Sequence, residues 1–177
     1  MTISLVIDTA TSRTIVGILD GDKVLFEGFH EGATEHGFAI TELAAKALAV
    51  CPEPDQVIVG MGPGPFTGLR VGITFARSFA MARDIPVIGV CSLDAIAVDK
   101  NEYTVAIDAR RKEIYWASYK DGERVVGPEV SKPAEVSDFI IDLYPDLKRL
   151  VALSALQNVS EPMYLRRPDA VPTAERK

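Results

Sequence analysis

The sequence has few cysteines, tryptophans and histidines, and it has no excess of basic residues. Two cysteines, one tryptophan and two histidines occur in 177 residues, and the net charge is −6. So few cysteines cannot support a disulfide framework, and Cys51 and Cys91 lack metal-binding spacing, so both are expected to be reduced thiols. A protein that binds nucleic acid unaided is usually basic. We therefore expect any contact with RNA to be indirect, through a basic partner.

Long hydrophobic runs are also missing from the sequence. No stretch approaches the ~20 apolar residues that a membrane-spanning helix needs. The first residues, MTISLVIDTAT, contain no basic region and no long apolar run, so we expect no signal peptide. These patterns predict a cytoplasmic protein that does not contact a membrane.

The sequence carries no motif typical of a catalytic or metal site. His30 and His36 are isolated, and the residue one turn after His36 is Ile40. No G-x-S-x-G sequence marks a serine nucleophile. The glycine-rich segment that begins at Gly60 is not followed by Gly-Lys-Ser/Thr, and its prolines remove backbone donors that a phosphate loop uses. We predict neither catalytic residues nor a metal site in this chain.

What the sequence does contain is a strand–turn–helix–strand segment at Val57–Val90. A short β-branched run is followed by glycines and prolines, then by a helix predicted to run to Arg83 with Thr67 as its N-cap, then by the buried-type strand Val87–Val90. A unit of this length joins parallel strands and predicts an α/β domain. The glycines are expected to let the helix approach another backbone closely.

The predicted helix from Thr67 to Arg83 has two apolar stripes. One consists of Leu69, Ile73, Ala76 and Ala80, and the other of Val71, Phe75, Phe79 and Ala82. A surface helix needs only one apolar stripe. The second stripe indicates either a partner or a helix buried within its own domain.

The remaining elements can be predicted from periodicity and turn residues. Strands are predicted at Ile3–Ile7, Arg13–Leu19, Lys23–His30, Tyr103–Ile107, Glu113–Tyr119, from Arg124 onward and at Lys148–Leu153. Helices are predicted at Glu35–Val50 with Thr34 as its cap, at Ser92–Val98 and at Pro133–Tyr144, and an extended tail at Glu161–Lys177. These assignments rest on apolar spacing and on glycine and proline positions.

An internal repeat divides the chain in two. SLVIDTATSRTIVGILDGDKVL and YTVAIDARRKEIYWASYKDGERV share the order strand, aspartate, tight turn, strand, glycine hairpin, strand. Such a repeat predicts two lobes of related fold, residues 1–99 and a reduced lobe at residues 100–177. The layout resembles the sugar-kinase, actin and Hsp70 superfamily, a duplicated ribonuclease H-like α/β fold.

That resemblance places the first turn of each lobe toward a nucleotide. Asp8, Thr11 and Ser12 lie at the first turn, and Asp108 and Arg110 at the second. Hydroxyls, backbone N–H groups and a carboxylate suit phosphate and Mg²⁺. The same residue types also cap turns without binding a ligand. Asp8, Thr11 and Ser12 are therefore weak candidates for a cofactor site.

The segment GMGPGPFTGLRVGITFARSFAMARDIPVIGVCSLDAIA resembles the signature of the TsaB (YeaZ) family. IDTATSRTIVGIL, IDARRKEIYWASY and PMYLRRPDA resemble it as well, so the similarity spans nearly the whole chain. It implies an actin-like fold with two lobes. It also implies a non-catalytic subunit that pairs with the related catalytic protein TsaD to form threonylcarbamoyladenosine at position 37 of tRNAs that read codons starting with A. This chain departs from the family in length, because the family's second lobes are usually longer and this one is abbreviated between Leu153 and the tail.

The resemblance also implies which partners and surfaces this chain uses. TsaD is expected to dock on the two long helices, with His36, Ile40, Leu43, Arg70, Thr74 and Arg77 as interface candidates. A TsaE-like ATPase joins through the complex, tRNA is met only indirectly, and without TsaD the same face could form a homodimer. The chain requires no cofactor of its own, although ATP or ADP could bind at the seam between subunits.

The catalytic relative carries an H-x-x-x-H metal motif after the strand that corresponds to Val87–Val90. The two histidine positions fall on Ser92 and Ile96, and neither supplies an imidazole. This difference favours a scaffold over an enzyme and argues against the zinc peptidase that the older name "glycoprotease" implies. The alternative that we keep is a small-molecule kinase or ATPase of the actin-like superfamily.

Overall fold

The computed structural model describes residues 2–166, which form two sheets and three α-helices. The strands are β1 (Ile3–Asp8), β2 (Arg13–Asp20), β3 (Lys23–Glu31), β4 (Gln56–Gly60), β5 (Val87–Val90), β6 (Glu102–Asp108), β7 (Ile114–Lys120), β8 (Glu123–Ser131) and β9 (Phe139–Ile140). The helices are α1 (His36–Val50), α2 (Phe66–Arg83) and α3 (Leu147–Ser154).

The first sheet has the strand order β3-β2-β1-β4-β5 and is covered on both faces. β1, β2 and β3 are antiparallel neighbours, whereas β4 and β5 run parallel to β1. Alternate side chains point to opposite faces of a strand. Leu5 and Ile7 therefore pack with α1 and α2, while Val6 and Ile58 pack with Leu150 of α3 on the other face.

The second sheet repeats this layout in the order β8-β7-β6-β9. β6, β7 and β8 form an antiparallel meander, and β9 pairs in parallel with β6 as β4 pairs with β1. The predicted duplication and the actin-like α/β class are therefore confirmed. The second copy is reduced, because residues 132–138 connect β8 to β9 with only a short 3₁₀ turn at Pro133–Glu135, where the first copy has α1.

Two predicted elements near the end of the chain are wrong. The helix predicted at Pro133–Tyr144 is a 3₁₀ turn followed by β9, because backbone pairing with β6 prevails over the local pattern. Asp138 and Asp142 also have positive φ angles, which a right-handed helix cannot contain. The strand predicted at Lys148–Leu153 is helix α3, whose Asp146 side chain accepts a hydrogen bond from the Arg149 amide.

Smaller corrections concern where the helices begin. α1 begins at His36 after an uncapped Glu35, so Thr34 is not its cap, and α2 follows Pro65, which places Thr67 inside the helix. The helix predicted at Ser92–Val98 is only a 3₁₀ turn at Leu93–Ala95. Residues 161–166 form neither helix nor strand, and the rest of the predicted tail lies outside the described residues.

The division at residues 99 and 100 stays a prediction. The structure adds that α3, which follows the second meander in the chain, packs against β1, β4 and β5 of the first sheet. Within residues 2–166, no helix is both long and apolar enough to cross a membrane.

Candidate functional site

A shallow groove lies between α1 and α2, and we call it the α1–α2 groove. It is lined by Gly37, Ile40, Thr41, Phe66, Thr67, Arg70, Val71, Thr74 and Phe75. Phe66, which lines the groove, is 45% accessible, and two further apolar side chains of the same helices are exposed, Phe38 at 64% and Met81 at 82%. Phe75 and Phe79 stack on the same helix with ring centroids 6.2 Å apart. Clusters of exposed apolar side chains are typical of binding surfaces.

The position of α2 depends on glycines that let it approach the turn after β1. A Cβ atom on Gly72 would lie 2.3 Å from Thr9 Oγ1, and one on Gly68 would lie 2.7 Å from the Thr9 carbonyl oxygen. The Thr9 hydroxyl instead donates a hydrogen bond of 2.7 Å to the Gly68 carbonyl. This contact is the close backbone approach predicted for the glycine-rich segment.

The two stripes of α2 have different environments. Leu69, Ile73, Ala76 and Ala80 are buried against the first sheet. The second stripe is only half-buried at Val71, Phe75 and Phe79 and exposed at Ala82. The second stripe is thus not buried within this domain, which leaves an apolar surface open to solvent.

The six interface candidates fall into two groups of three. Arg70, Thr74 and Arg77 are exposed on α2. His36, Ile40 and Leu43 are buried on α1 and retain 4%, 2% and 7% of their accessible surface. These three therefore stabilise this chain's own fold, although Ile40 still reaches the floor of the α1–α2 groove.

His36 is held inside the fold by a hydrogen bond to β2. Its Nδ1 lies 2.8 Å from the Thr14 hydroxyl oxygen. Burial lowers the pKa of His36 below its ordinary value of 6.5, so the ring is neutral at physiological pH. A neutral buried imidazole suits a packing role better than contact with a charged partner.

Asp8 is the last residue of β1, and Thr11 and Ser12 lie in the turn that follows it. A cleft between the two sheets is lined by Thr11 and Ser12 but not by Asp8. The Asp8 carboxylate is fully buried and accepts hydrogen bonds from the Ser92 hydroxyl at 2.6 Å and the Ala10 amide at 2.9 Å. A Cβ on Gly60 would lie 1.8 Å from its Oδ2 atom. In this conformation the carboxylate is enclosed by protein atoms and is not open to a metal ion. This burial raises the pKa of Asp8 from 3.8 to about 6.

Thr11 and Ser12 do line the cleft between the two sheets. Asp108, Arg110 and Tyr144 face them across it. The Thr11 hydroxyl accepts a hydrogen bond from the Arg13 amide, as a turn-capping side chain does. The structure therefore brings the first turns of the two predicted lobes together. Nucleotide binding at these turns stays a prediction.

The two positions that correspond to the catalytic relative's metal motif are Ser92 and Ile96. Ser92 is hydrogen-bonded within the fold and Ile96 is packed in its core. Ser92 donates to Asp8 and accepts a hydrogen bond from the Gly62 amide at 3.2 Å. Ile96 is 1% accessible and packs in the core of the second sheet. In the part of the chain that the structure describes, no three His, Cys, Asp or Glu side chains are grouped so as to hold a metal ion.

Sequence reasoning missed a buried polar cluster centred on Asp94. Its Oδ1 accepts a hydrogen bond of 2.8 Å from the Tyr119 hydroxyl and lies 3.3 Å from a guanidinium nitrogen of Arg124. Its Oδ2 accepts from the Gln157 side chain at 2.7 Å. A lone acidic residue within the apolar run CSLDAIA was the only local signal of this cluster.

Comparison with known proteins assigns the family. The family model TsaD, tRNA N6-adenosine threonylcarbamoyltransferase, matches residues 32–168. The tRNA threonylcarbamoyladenosine biosynthesis protein TsaB of Escherichia coli is 35% identical over 129 residues, and that of Bacillus subtilis is 33% identical over 134 residues. The chain belongs to the TsaB (YeaZ) family. The similarity to TsaB covers 67% and 69% of this chain.

The relatives differ in length from this TsaB-family chain. It spans 55% of the E. coli TsaB protein and 58% of that from B. subtilis. An uncharacterized protein of Mycobacterium leprae is 42% identical over 97% of this chain and 57% of its own length. An uncharacterized Mycobacterium tuberculosis protein is 39% identical over 96% of this chain, and the match covers 94% of that protein. The chain thus spans little more than half of several relatives that it matches.

Solved structures agree on the fold of this TsaB-family chain. A Pseudomonas aeruginosa protein described as similar to peptidase YEAZ superposes with a TM-score of 0.79 at 22% identity, over 94% of this chain and 100% of that one. YeaZ from P. aeruginosa gives a TM-score of 0.74 at 22% identity, over 88% and 92% of the two chains. The duplicated architecture is therefore that of YeaZ.

Proposed function

We propose that this chain is a non-catalytic scaffold subunit that pairs with a TsaD-like paralogue. The complex would form N6-threonylcarbamoyladenosine at position 37 of tRNAs that read A-starting codons. The α1–α2 groove carries the proposal, because its exposed Phe66, together with exposed Phe38 and Met81 elsewhere on the same two helices, is costly to leave in water. The role in threonylcarbamoyladenosine biosynthesis is supported by the names of the E. coli and B. subtilis relatives.

The non-catalytic part of the proposal rests on the segment after β5. The family model that fits the chain describes a transferase, but Ser92 and Ile96 replace both imidazoles of the metal motif. The Ser92 hydroxyl donates a hydrogen bond to Asp8, and Ile96 lies in an apolar core. The chain therefore leaves carbamoyl transfer to its paralogue.

The remaining partners follow from charge and from the family. A chain with a net charge of −6 repels the tRNA backbone, so tRNA would be bound by the complex and not by this subunit alone. A TsaE-like ATPase would join through the complex, in the cytoplasm. We propose that this chain requires no cofactor by itself and that ATP or ADP binds at the seam between subunits.

The decisive experiment places charges in the α1–α2 groove without disturbing the core. Thr41 and Thr74 are exposed on its two sides, so Thr41→Glu and Thr74→Glu should fold normally. Each buried carboxylate should weaken binding to the TsaD-like paralogue by roughly tenfold or more, because an unpaired charge is costly inside an apolar interface. Titration calorimetry with the purified paralogue measures the affinity.

Ser137→Glu is the matched control, because Ser137 is exposed near the second sheet. It adds the same charge away from the α1–α2 groove and should leave the affinity unchanged. Unaltered binding by the Thr41→Glu/Thr74→Glu double variant would contradict the docking surface. Without the paralogue, the same double variant should also weaken any homodimer, which sedimentation would detect.

The alternative, an actin-like kinase or ATPase, is favoured by one observation. Thr11, Ser12 and Arg110 meet across the cleft between the sheets, where that superfamily binds phosphates. Titration of the isolated chain with ATP·Mg²⁺ separates the two proposals. Micromolar binding with turnover would support the enzyme, whereas a chain that neither binds nor hydrolyses ATP would support the scaffold.

A further inference from the structure

The chain after α3 forms a strap, residues 157–166, that runs back over the first sheet and α2. The Val159 amide donates to the Gly89 carbonyl at 2.8 Å, along the outer edge of β5. The Met163 amide donates to the Met61 carbonyl, also at 2.8 Å. The strap therefore covers a sheet edge that would otherwise leave backbone groups unpaired.

The strap is also fastened to α2. Arg77 donates a hydrogen bond of 2.7 Å to the Ser160 carbonyl. The Tyr164 ring packs against Phe66, with centroids 4.8 Å apart and a tilt of 46°. Two contacts on the same helix fix the position of the strap relative to the α1–α2 groove.

The Tyr164 contact extends the groove surface. Phe66 is the first residue of α2 and lines the groove, and its ring remains 45% exposed. Tyr164 packs against this ring and is itself 39% exposed. The two half-exposed rings therefore form one apolar surface that continues from the groove around the start of α2.

We propose that Tyr164 and the strap form part of the surface that the TsaD-like partner covers. This inference rests on the proposed function and adds a third element to a surface otherwise built from two helices. Its continuity with the α1–α2 groove through Phe66 is the first argument. A tyrosine that exposes part of its ring beside a second aromatic ring is the type of residue that dominates binding energy at interfaces.

Charge supplies the second argument for the same occupant. Arg70 lies exposed beside the Phe66 ring, and Arg77 lies exposed farther along α2, where it contacts the strap; within residues 2–166 their only partners are the Phe66 ring and the Ser160 carbonyl. An acidic chain that leaves two arginines of one helix without a carboxylate presents a positive patch on that helix. The partner surface is therefore expected to carry acidic side chains around an apolar centre.

The test uses Tyr164→Ser in the full chain, with binding to the purified paralogue measured by calorimetry. Removal of the ring should weaken binding at least tenfold, whereas Tyr164→Phe, which keeps the ring, should bind within about threefold of the unaltered chain. Val125→Ser is the matched control, because Val125 is 59% exposed on β8 and should not affect binding. Circular dichroism confirms that each variant folds.

Hydrogen exchange supplies a second measurement that needs no substitution. Peptides that span residues 159–166 should exchange more slowly in the complex than in the free chain, together with peptides from α1 and α2. Unchanged affinity of Tyr164→Ser or unchanged exchange of the strap, with Thr74→Glu still impaired, would overturn the inference and leave the proposed function intact. Failure of Thr74→Glu to weaken binding as well would overturn both.

Discussion

At the scale of single residues, burial in the fold changes the acidity of the Asp8 carboxyl group. Burial raises its pKa from 3.8 to about 6, so the folded state binds a proton more readily than the unfolded state between these values. The free energy of unfolding should therefore fall as the pH rises from about 4 to 6. The difference between a pKa of 3.8 and one of about 6 corresponds to a fall of roughly 3 kcal/mol in the free energy of unfolding across this pH range.

Asp8→Asn should remove this dependence on pH. An amide oxygen can still accept from the Ala10 amide, and no charge then forms in the buried site. We expect a flatter profile between pH 4 and 6 and a stability at pH 8 that is equal to or higher than that of the unaltered chain. Urea denaturation at several pH values measures this, and Asp22→Asn in the exposed hairpin turn is the control. An identical slope for Asp8→Asn would show that another group titrates.

At the scale of secondary structure elements, α3 closes the second face of the first sheet. Leu150 is fully buried and packs with strand residues such as Val6 and Ile58. A Cβ on Gly17 would lie 2.4 Å from Leu147 Cδ1, so the helix sits directly on β2. Leu150→Ala should therefore cost about 2–5 kcal/mol of unfolding free energy, by loss of burial and formation of a cavity.

The matched control is Leu156→Ala, two residues beyond the helix, where the side chain is 83% exposed. It should change the stability by no more than about 0.5 kcal/mol. Equal effects of the two substitutions in chemical denaturation would refute the assigned packing of α3.

The elements that could be predicted from sequence are those with strong local periodicity. α2 and β1 fall in this class, because apolar spacing and turn residues agree there. α3 was assigned as a strand because its run of apolar residues is short, and helix and strand periods cannot be distinguished over so few positions. β9 was missed because its pairing with β6 is a tertiary contact, with no signal in the residues of β9 themselves.

The geometry of the site could be predicted less well than the fold, because it depends on contacts between residues that are far apart in the sequence. Asp8 is enclosed by Ser92, which lies 84 positions away in the sequence, so its burial cannot be seen from the turn alone. The family resemblance makes Ile40 and Leu43 candidates for the partner surface because they lie on one of the two long helices, and their role in the interface stays a prediction. Only the packed structure separates the side that faces the sheet from the exposed side.

At the scale of the whole molecule, Asp94 joins parts of the chain that are far apart in sequence. It accepts hydrogen bonds from Tyr119 in the second sheet and from Gln157 in the strap, while its backbone carbonyl accepts from Arg149 of α3. Asp94→Ala would leave Arg124, which lies only 29% exposed, without its carboxylate. We expect a loss of about 2–4 kcal/mol, because the Tyr119 hydroxyl and the Gln157 amide also lose a charged acceptor, while Arg124 keeps part of its contact with water.

Asp99→Ala is the control for this substitution, because Asp99 is exposed a few residues farther along the chain. Tyr119→Phe, which removes one hydrogen bond and no charge, should cost only about 1–2 kcal/mol. Differential scanning calorimetry should show the same order of effects. A cost for Asp94→Ala no greater than that for Asp99→Ala would mean that the cluster does not stabilise the fold.

The packing of α3 on the first sheet also constrains how the chain folds during synthesis. The five strands of that sheet are complete at Val90, but the helix that covers their second face begins only at Leu147. At translation rates of about 5–20 residues per second, the ribosome needs roughly 3–11 s to make the intervening segment. We expect the apolar face around Val6 and Ile58 to stay uncovered on the nascent chain during that interval, and to bind chaperones until α3 emerges.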